Sequence, residues 1–468
     1  METLNTQLLV IGAGPGGYVC AIRAAQLGVR TVIVESDNPG GTCLNVGCIP
    51  SKALIHAADE FYKLVSYCDS EGTADQMGIR TQSASIDLAQ TMVWKNSVVS
   101  RLNTGVSALL KRAGVNSIQG HARFLDGKRV VVNTAEGELR IQSDNVVIAT
   151  GSEAIELQAL PFTEHVLDST AALSLVNVPE SLAVVGGGYI GLELGTCFAK
   201  LGTQVTVIES ADHILPLYDR QLTDVVSKRL DALGIAVLTN TTAQEYNAGT
   251  RRLHVEHAQR GRDELSVEKV LVTVGRKARL SGWGLSELSL DIKDGCVSID
   301  DQCQSSMRGV YAIGDVTGEP MLAHRAMAQA ELVAQRISGQ QVSWDKQCIP
   351  AVCFTDPEIV SAGITPAQAD ELGLQVEVST FPFQASGRAI SIQRDDGFVR
   401  VVADSQSHAL LGVQAVGVGV SELSAAFALA IEMGARAEDI AMTIHAHPTL
   451  SESFQEACMS ILGNGLHV

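Results

Sequence analysis

Two segments of the chain repeat one another at a distance of 174 residues, and no other feature constrains the fold as much. The first, LLVIGAGPGGYVCAIRAAQLGVRTVIVES, runs from Leu8 to Ser36, and the second, LAVVGGGYIGLELGTCFAKLGTQVTVIES, from Leu182 to Ser210. In each, an apolar strand-like run ends in Gly-x-Gly-x-x-Gly: Gly12, Gly14 and Gly17, then Gly186, Gly188 and Gly191. A helix-like stretch follows, and a second strand closes on an acidic residue, Glu35 or Glu209. The spacing matches the strand–turn–helix–strand unit that holds a dinucleotide. The first glycine makes the tight turn, the second lets backbone approach the pyrophosphate, and the third allows close helix–strand packing. The helix N-terminus then faces the phosphate charge, while the acid accepts hydrogen bonds from a ribose. One such motif is weak evidence. Two in identical register, each with its acid, imply an α/β chain with two Rossmann-like domains and two bound dinucleotides.

The two sites differ in the residues beyond their acids. After Glu209 comes Ser-Ala-Asp-His-Ile-Leu, with no Arg or Lys to clamp a 2′-phosphate, so the second site is expected to prefer NAD over NADP. Three more strand-like segments end in glycine: VVIATGS to Ser152, VLVTVGR to Arg276 and GVYAIGDV to Val316. They read as crossovers between nucleotide folds. The last also places Asp315 at a strand end, suited to a polyhydroxyl chain such as ribitol.

With 468 residues, 46% of them hydrophobic, the chain has material for about three domains. Its net charge of −18 argues against nucleic acid and suits a basic protein partner. No uninterrupted apolar run is long enough to span a membrane. A strand-like segment from Gln7 to Ile11 leaves no room for a leader, which implies a cytoplasmic protein. Ten scattered cysteines make no disulfide framework, and eight of them read as small buried hydrophobes.

The other two stand in GGTCLNVGCIPSK, from Gly40 to Lys52. A zinc site would need further ligands at suitable spacing, and none lies nearby. A plain structural bridge fits poorly beside a nucleotide unit that ends only a few residues earlier. A helix is expected to begin near Pro50, because Pro is favoured in a first helical turn. Cys48 would then lie at the positive end of the helix dipole, with Lys52 one turn on, and both favour a thiolate. Cys43 and Cys48 read as a redox dithiol.

Over essentially its full length the sequence resembles the dihydrolipoyl dehydrogenases of the class I pyridine nucleotide–disulfide oxidoreductase family. The resemblance rests on GGTCLNVGCIPSK, GGGYIGLELG, YAIGDV with MLAHRA (Met321 to Ala326), and HAHPTLSE from His445 to Glu452. It implies a homodimer that carries FAD and NAD+ and reoxidises dihydrolipoamide within 2-oxo acid dehydrogenase or glycine cleavage complexes. Its partners there would be lipoyl domains and the subunit-binding domain of an acyltransferase core. It also implies an FAD-binding domain over 1–150, an NAD-binding domain over 151–276 and a central segment, 277–345, that completes the FAD site. An α+β interface domain over 346–468 would follow, where GFVRVVAD and ALLGVQAVGVGV look like strands and Leu423 to Met433 like an apolar helix.

By the same resemblance, FAD contacts fall on Gly12, Gly14, Glu35, Thr42, Cys43, Lys52, Gly120, Thr150, Gly151, Asp315 and Ala323. NAD contacts fall on Gly188, Tyr189, Ile190, Gly191, Leu192, Glu193, Glu209, Ala243 and Gly275. Cys43 would be the interchange thiol and Cys48 the thiolate facing the flavin, with Lys52 paired to Glu193 near its ring. His447 would be the acid–base group, oriented by Glu452 and reaching into the partner subunit's site, whereas His445 would be structural. A histidine suits this role because it titrates near working pH. Cys353, in IPAVCFTDPE, stands where many relatives would have an aromatic residue, and it reads as a packing variant away from the chemistry.

Rival readings fail on particular residues. Glutathione reductase normally uses NADPH, which Glu209 without neighbouring arginines disfavours. Mercuric reductase needs an extra C-terminal cysteine pair, which SILGNGLHV lacks. Small thioredoxin reductases place CxxC inside the NAD unit, where Cys197 stands alone. A non-catalytic electron-transfer or assembly subunit would be marked by loss of Cys43, Cys48 or His447, and all three are present.

Overall fold

The computed structural model describes residues 3–68, 77–79 and 81–467. The chain forms two compact units, each assembled from separated segments. The first comprises Met1–Gln158, Leu167–Asn177 and Val274–Asp345, the second Ala159–Val166, Val178–Thr273 and Lys346–Val468.

In the first unit, strands Asn116–Gln119, Thr31–Glu35, Thr3–Ile11 and Gly137–Ile148 lie side by side, all parallel. Leu8, Leu9 and Val10 are wholly buried, as expected for a parallel strand covered on both faces. The long strand Gly137–Ile148 has two further partners besides Thr3–Ile11. Its first half pairs antiparallel with Arg129–Thr134, and its last three residues pair parallel with Val310–Ala312. The GVYAIGDV strand is therefore no crossover: it completes the first sheet. Above that sheet, the helix Pro15–Gln26 shares a core with the helix Ala323–Ile337 through Cys20, Ala21, Ala24, Ala330 and Ala334. Small side chains let the two backbones come close: a Cβ on Gly16 would meet that of Ala326 at 3.3 Å.

In the second unit, Ala236–Leu238, Gln204–Ile208, Ser181–Val185 and Lys269–Val272 form the equivalent parallel sheet. A three-stranded antiparallel layer follows, Thr241–Asn247, Arg252–His257 and Gly261–Ser266. The nucleotide helix Tyr189–Lys200 is buried along most of its length, Glu193 and Lys200 included. Such charges need partners inside the fold, since a buried unpaired charge is strongly unfavourable.

The rest of this unit is an antiparallel five-stranded sheet in the order Ala351–Cys353, Glu358–Gly363, Leu410–Gly417, Phe398–Asp404, Val376–Pro382. Helices Ser424–Glu432 and Glu452–Ile461 cover it, with Phe427 and Phe454 edge to face at 5.0 Å. The strand expected to run through Val420 stops at Gly417, where a Cβ would strike the Phe383 ring at 2.1 Å. The architecture is α/β with two Rossmann-like units and a C-terminal α+β domain, as the repeat and the resemblance predict. Among the described residues, no helix is long and apolar enough to cross a membrane.

Candidate active site

The three glycines of each fingerprint serve distinct purposes, and the geometry separates them. Gly12 and Gly186 have φ of 96° and 103°, a region that favours glycine. Gly17 and Gly191 are needed for packing, because a Cβ there would lie 1.9 Å from the Gly12 oxygen and 2.3 Å from the Gly186 oxygen. Gly14 and Gly188 have ordinary negative φ, −66° and −77°. A Cβ on Gly188 would meet nothing within 4 Å, and one on Gly14 would meet only the Gly41 Cα at 3.9 Å. The protein itself does not require glycine at these two positions. Each opens the space before a helix N-terminus that no side chain caps. First-turn amides, which a helix cannot satisfy internally, face such a space and attract phosphate.

The acidic partners behave alike. Glu35 Oε2 accepts from the Ala13 N–H at 2.7 Å, and Glu209 Oε2 from the Gly187 N–H at 2.6 Å. Their Oε1 atoms accept from the Asp37 and Ala211 amides. Each carboxylate is thereby fixed against its own glycine turn, with lone pairs left over for ribose hydroxyls. Uncapped helix ends, open glycines and anchored carboxylates fit a dinucleotide in both units.

The dithiol loop rests on the first of these turns. Gly40 donates its N–H to the Ala13 oxygen at 2.7 Å, and a Cβ on Gly41 would stand 2.5 Å from the Gly14 Cα. The short helix Gly41–Asn45, which carries Thr42 and Cys43, therefore begins at the mouth of the fingerprint. Between the cysteines, the Asn45 amide donates to the oxygens of Asn38, Pro39 and Gly41 at 3.0–3.2 Å and accepts from Asn103. Cys48 is the first residue of the helix Cys48–Ser66, two residues ahead of the start expected at Pro50. Both cysteines are free thiols, Cys43 half-buried and Cys48 exposed. The Cys43 pKa is raised, first by its hydrogen bond with Cys48, then by burial and by the Cys48 charge, with Lys52 pulling the other way.

The other residues assigned to FAD all lie in the first unit. Gly120 donates its N–H to the Glu35 backbone carbonyl at 2.8 Å. Thr150 donates to the Arg279 oxygen, and Gly151 follows it with φ of 73°. Asp315 accepts from the Ser152 hydroxyl at 2.5 Å, and Ala323 opens its helix. Of the residues assigned to NAD, Gly188 to Glu193, Glu209 and Ala243 fall in the second unit, whereas Gly275 falls in the first.

His447 and Glu452 also come together, with Nδ1 and Oε1 2.9 Å apart. Burial would raise the Glu452 carboxyl, but the Thr449 N–H and the His447 ring outweigh it and hold its pKa down. His447 is largely exposed, and the His445 ring meets the Thr443 oxygen.

Several arrangements leave no mark in the sequence. The Phe354 backbone N–H donates to Glu193 Oε1 at 2.9 Å, and a backbone donor has no side-chain signature. Arg220 binds Asp212 in the loop after Glu209, so an arginine lies at that loop after all, paired to a carboxylate. Cys353 is fully buried and hydrogen-bonded to Tyr218, one residue from the group that holds Glu193. Of the eight cysteines read as buried, Cys68, Cys296 and Cys348 are only half-buried.

Residues 6–330 match the model of the pyridine nucleotide-disulphide oxidoreductase family, and residues 349–458 match its dimerisation domain. The chain belongs to that family. The dihydrolipoyl dehydrogenase of Pseudomonas aeruginosa is 52% identical over the full length of both chains. That of Geobacillus stearothermophilus is 42% identical over 99% of this chain and 98% of its own. Among solved structures, LpdA of Mycobacterium tuberculosis superposes with a TM-score of 0.90 at 25% identity, covering 97% of this chain and 99% of that one. The HOCl-induced flavoprotein disulfide reductase RclA of Escherichia coli gives 0.86 at 26%, over 98% and 100%.

Proposed function

We propose that this oxidoreductase is a dihydrolipoyl dehydrogenase, passing two electrons from dihydrolipoamide through Cys43 and Cys48 and bound FAD to NAD+. The observation that carries the reading is the seat of Gly40 and Gly41 on Ala13 and Gly14, which sets a redox dithiol at the mouth of a dinucleotide turn. Relatives at 42–52% identity over almost the whole chain support the choice of substrate.

His447 takes the proton of a dihydrolipoamide thiol, and Glu452 holds its ring for the transfer. In the oxidised protein, where Cys43 and Cys48 are joined as a disulfide, the substrate thiolate attacks the Cys43 sulfur, breaks the Cys43–Cys48 bond and leaves Cys48 as the thiolate. The second substrate thiol closes the lipoamide ring and releases Cys43 as a thiol. Bound flavin supplies the two-electron path from dithiol to nicotinamide. Sites in this reading are those assigned above by resemblance, over domains 1–150, 151–276, 277–345 and 346–468. The protein works as a cytoplasmic homodimer in which the second copy supplies His447. It serves lipoyl domains docked with the subunit-binding domain of an acyltransferase core, or a glycine cleavage lipoyl protein.

The test is reduction of NAD+ by dihydrolipoamide with FAD-loaded protein. No turnover at full flavin occupancy would leave only a binding or assembly role.

A further inference from the structure

Two of the three residues after the strand Ala351–Cys353 hold two charges of the helix Tyr189–Lys200. The Phe354 N–H binds the Glu193 carboxylate at 2.9 Å, and Asp356 Oδ2 lies 2.7 Å from Lys200 Nζ. Glu193 and Lys200 are seven positions apart, two turns, so they lie on one face of the helix, separated by roughly 10 Å along its axis. One short turn therefore grips the same helix face at both ends.

The grip at the Lys200 end is the stronger. Asp356 also meets Arg229 at 3.1 Å and Arg394 at 2.6 Å, and Arg394 is itself backed by Asp396. Lys200 and Asp356 are almost completely buried, with side-chain exposures of 7% and 11%. Burial would raise the Asp356 carboxyl, but Lys200, Arg394 and Arg229 outweigh it and hold the pKa far below the ordinary range. A buried charge with three cations around it cannot drift without breaking several charge-assisted bonds. At the other end the Phe354 backbone N–H, carried by the same turn, holds Glu193, so the turn that Asp356 fixes also carries a donor to that carboxylate.

We infer that Asp356 is a positioning residue for Glu193: by fixing Lys200 it sets where the helix stands against the Phe354 amide, and so where the Glu193 carboxylate is presented. This rests on the reading of Glu193 as part of the nicotinamide site. It adds a residue that belongs to neither nucleotide fingerprint. Its effect falls on electron exchange between NADH and flavin, and the thiol–disulfide half of the reaction is untouched.

The experiment uses the FAD-loaded full-length protein and rapid mixing to separate the two half-reactions. Asp356→Glu keeps the charge and leaves every cation partnered, while moving the carboxylate by one methylene. It should slow flavin reduction by NADH about tenfold, because sub-ångström misplacement of a reacting constellation is costly. Reduction of the disulfide by dihydrolipoamide should stay at the wild-type rate. Lys200→Met should behave the same way, and Lys200→Arg should restore much of the rate. Combined with Glu193→Gln, Asp356→Glu should add no further loss, since both act through one carboxylate. Equal slowing of both half-reactions, an unchanged NADH step, or a full additional loss in the Glu193→Gln background would each overturn the inference. A wild-type protein that reduced no lipoamide would sink the functional reading instead, yet leave the NADH comparison readable.

Discussion

Glu452 Oε1 lies 2.9 Å from His447 Nδ1, and its Oε2 accepts the Thr449 N–H at 2.8 Å. The backbone bond keeps the carboxylate still, so the imidazole is held from one side. With the Nδ1 proton directed at Glu452, Nε2 is the lone-pair nitrogen that can accept a thiol proton. His447→Gln should slow lipoamide turnover about 10²–10⁴-fold, the range for losing a positioned acid–base group. Glu452→Gln should fall between that variant and the wild type, because the ring remains but its tautomer is no longer fixed. Steady-state lipoamide reduction checks both, with flavin reduction by NADH as the internal control. A loss below tenfold in His447→Gln would show that another base serves.

The glycines of the second fingerprint allow a sharper test. Gly191→Ala drives a Cβ to 2.3 Å from the Gly186 oxygen, so it should destabilise the protein by about 1–3 kcal/mol, as overpacking does. Gly188→Ala meets no protein atom within 4 Å. It should leave the thermal midpoint unchanged while raising the KM for NAD+. If Gly188→Ala lost stability and kept its KM, the open space before the helix would have no connection to nucleotide binding.

These contrasts show which parts were readable in the sequence. The repeat disclosed Gly12, Gly14, Glu35 and their counterparts because a strand–turn–helix–strand unit is local, and its demands fall on residues close in the chain. The pairing of Cys43 with Cys48 was readable for the same reason, and the His447–Glu452 contact spans only five residues. Other contacts depend on tertiary folding. Asp356 meets Arg394 and Arg229 across 38 and 127 positions, and Glu193 meets Phe354 across 161. Ion pairs of that kind carry no periodic pattern, and a backbone amide carries no identity at all. Arg220 has no local signature either: it stands well beyond the stretch that directly adjoins Glu209, and only its bond to Asp212 brings it back to that loop.

That loop sets up a test of nucleotide choice. Glu209 faces the second glycine turn, and Arg220 is tied to Asp212. In NADP the 2′-phosphate would meet the Glu209 charge, with Arg220 already committed to Asp212. Glu209→Ser alone should relax the preference for NAD. Adding Asp212→Asn releases Arg220, and the ratio of kcat/KM for NADP over NAD should rise about tenfold or more relative to the single variant, the scale of one new charge-assisted contact. Unchanged selectivity in both variants would mean that the ribose lies elsewhere.

Asp356 should also govern stability in acid. Its folded pKa is depressed relative to the unfolded chain, where an Asp titrates near about 3.9. A carboxylate of that kind contributes fully above the unfolded value and loses its contribution as pH falls towards the folded one. Asp356→Asn leaves Lys200, Arg229 and Arg394 without their shared anion, and should cost about 3–5 kcal/mol at neutral pH, as breaking a buried ion pair does. The variant has no carboxyl to protonate at this position. The gap between its denaturation midpoint and that of the wild type should therefore narrow steadily as the pH is lowered from about 5, through the range where an unfolded Asp begins to bind its proton. A gap of constant width over that range would show that the network stabilises by shape and packing, and that the charge of Asp356 contributes nothing.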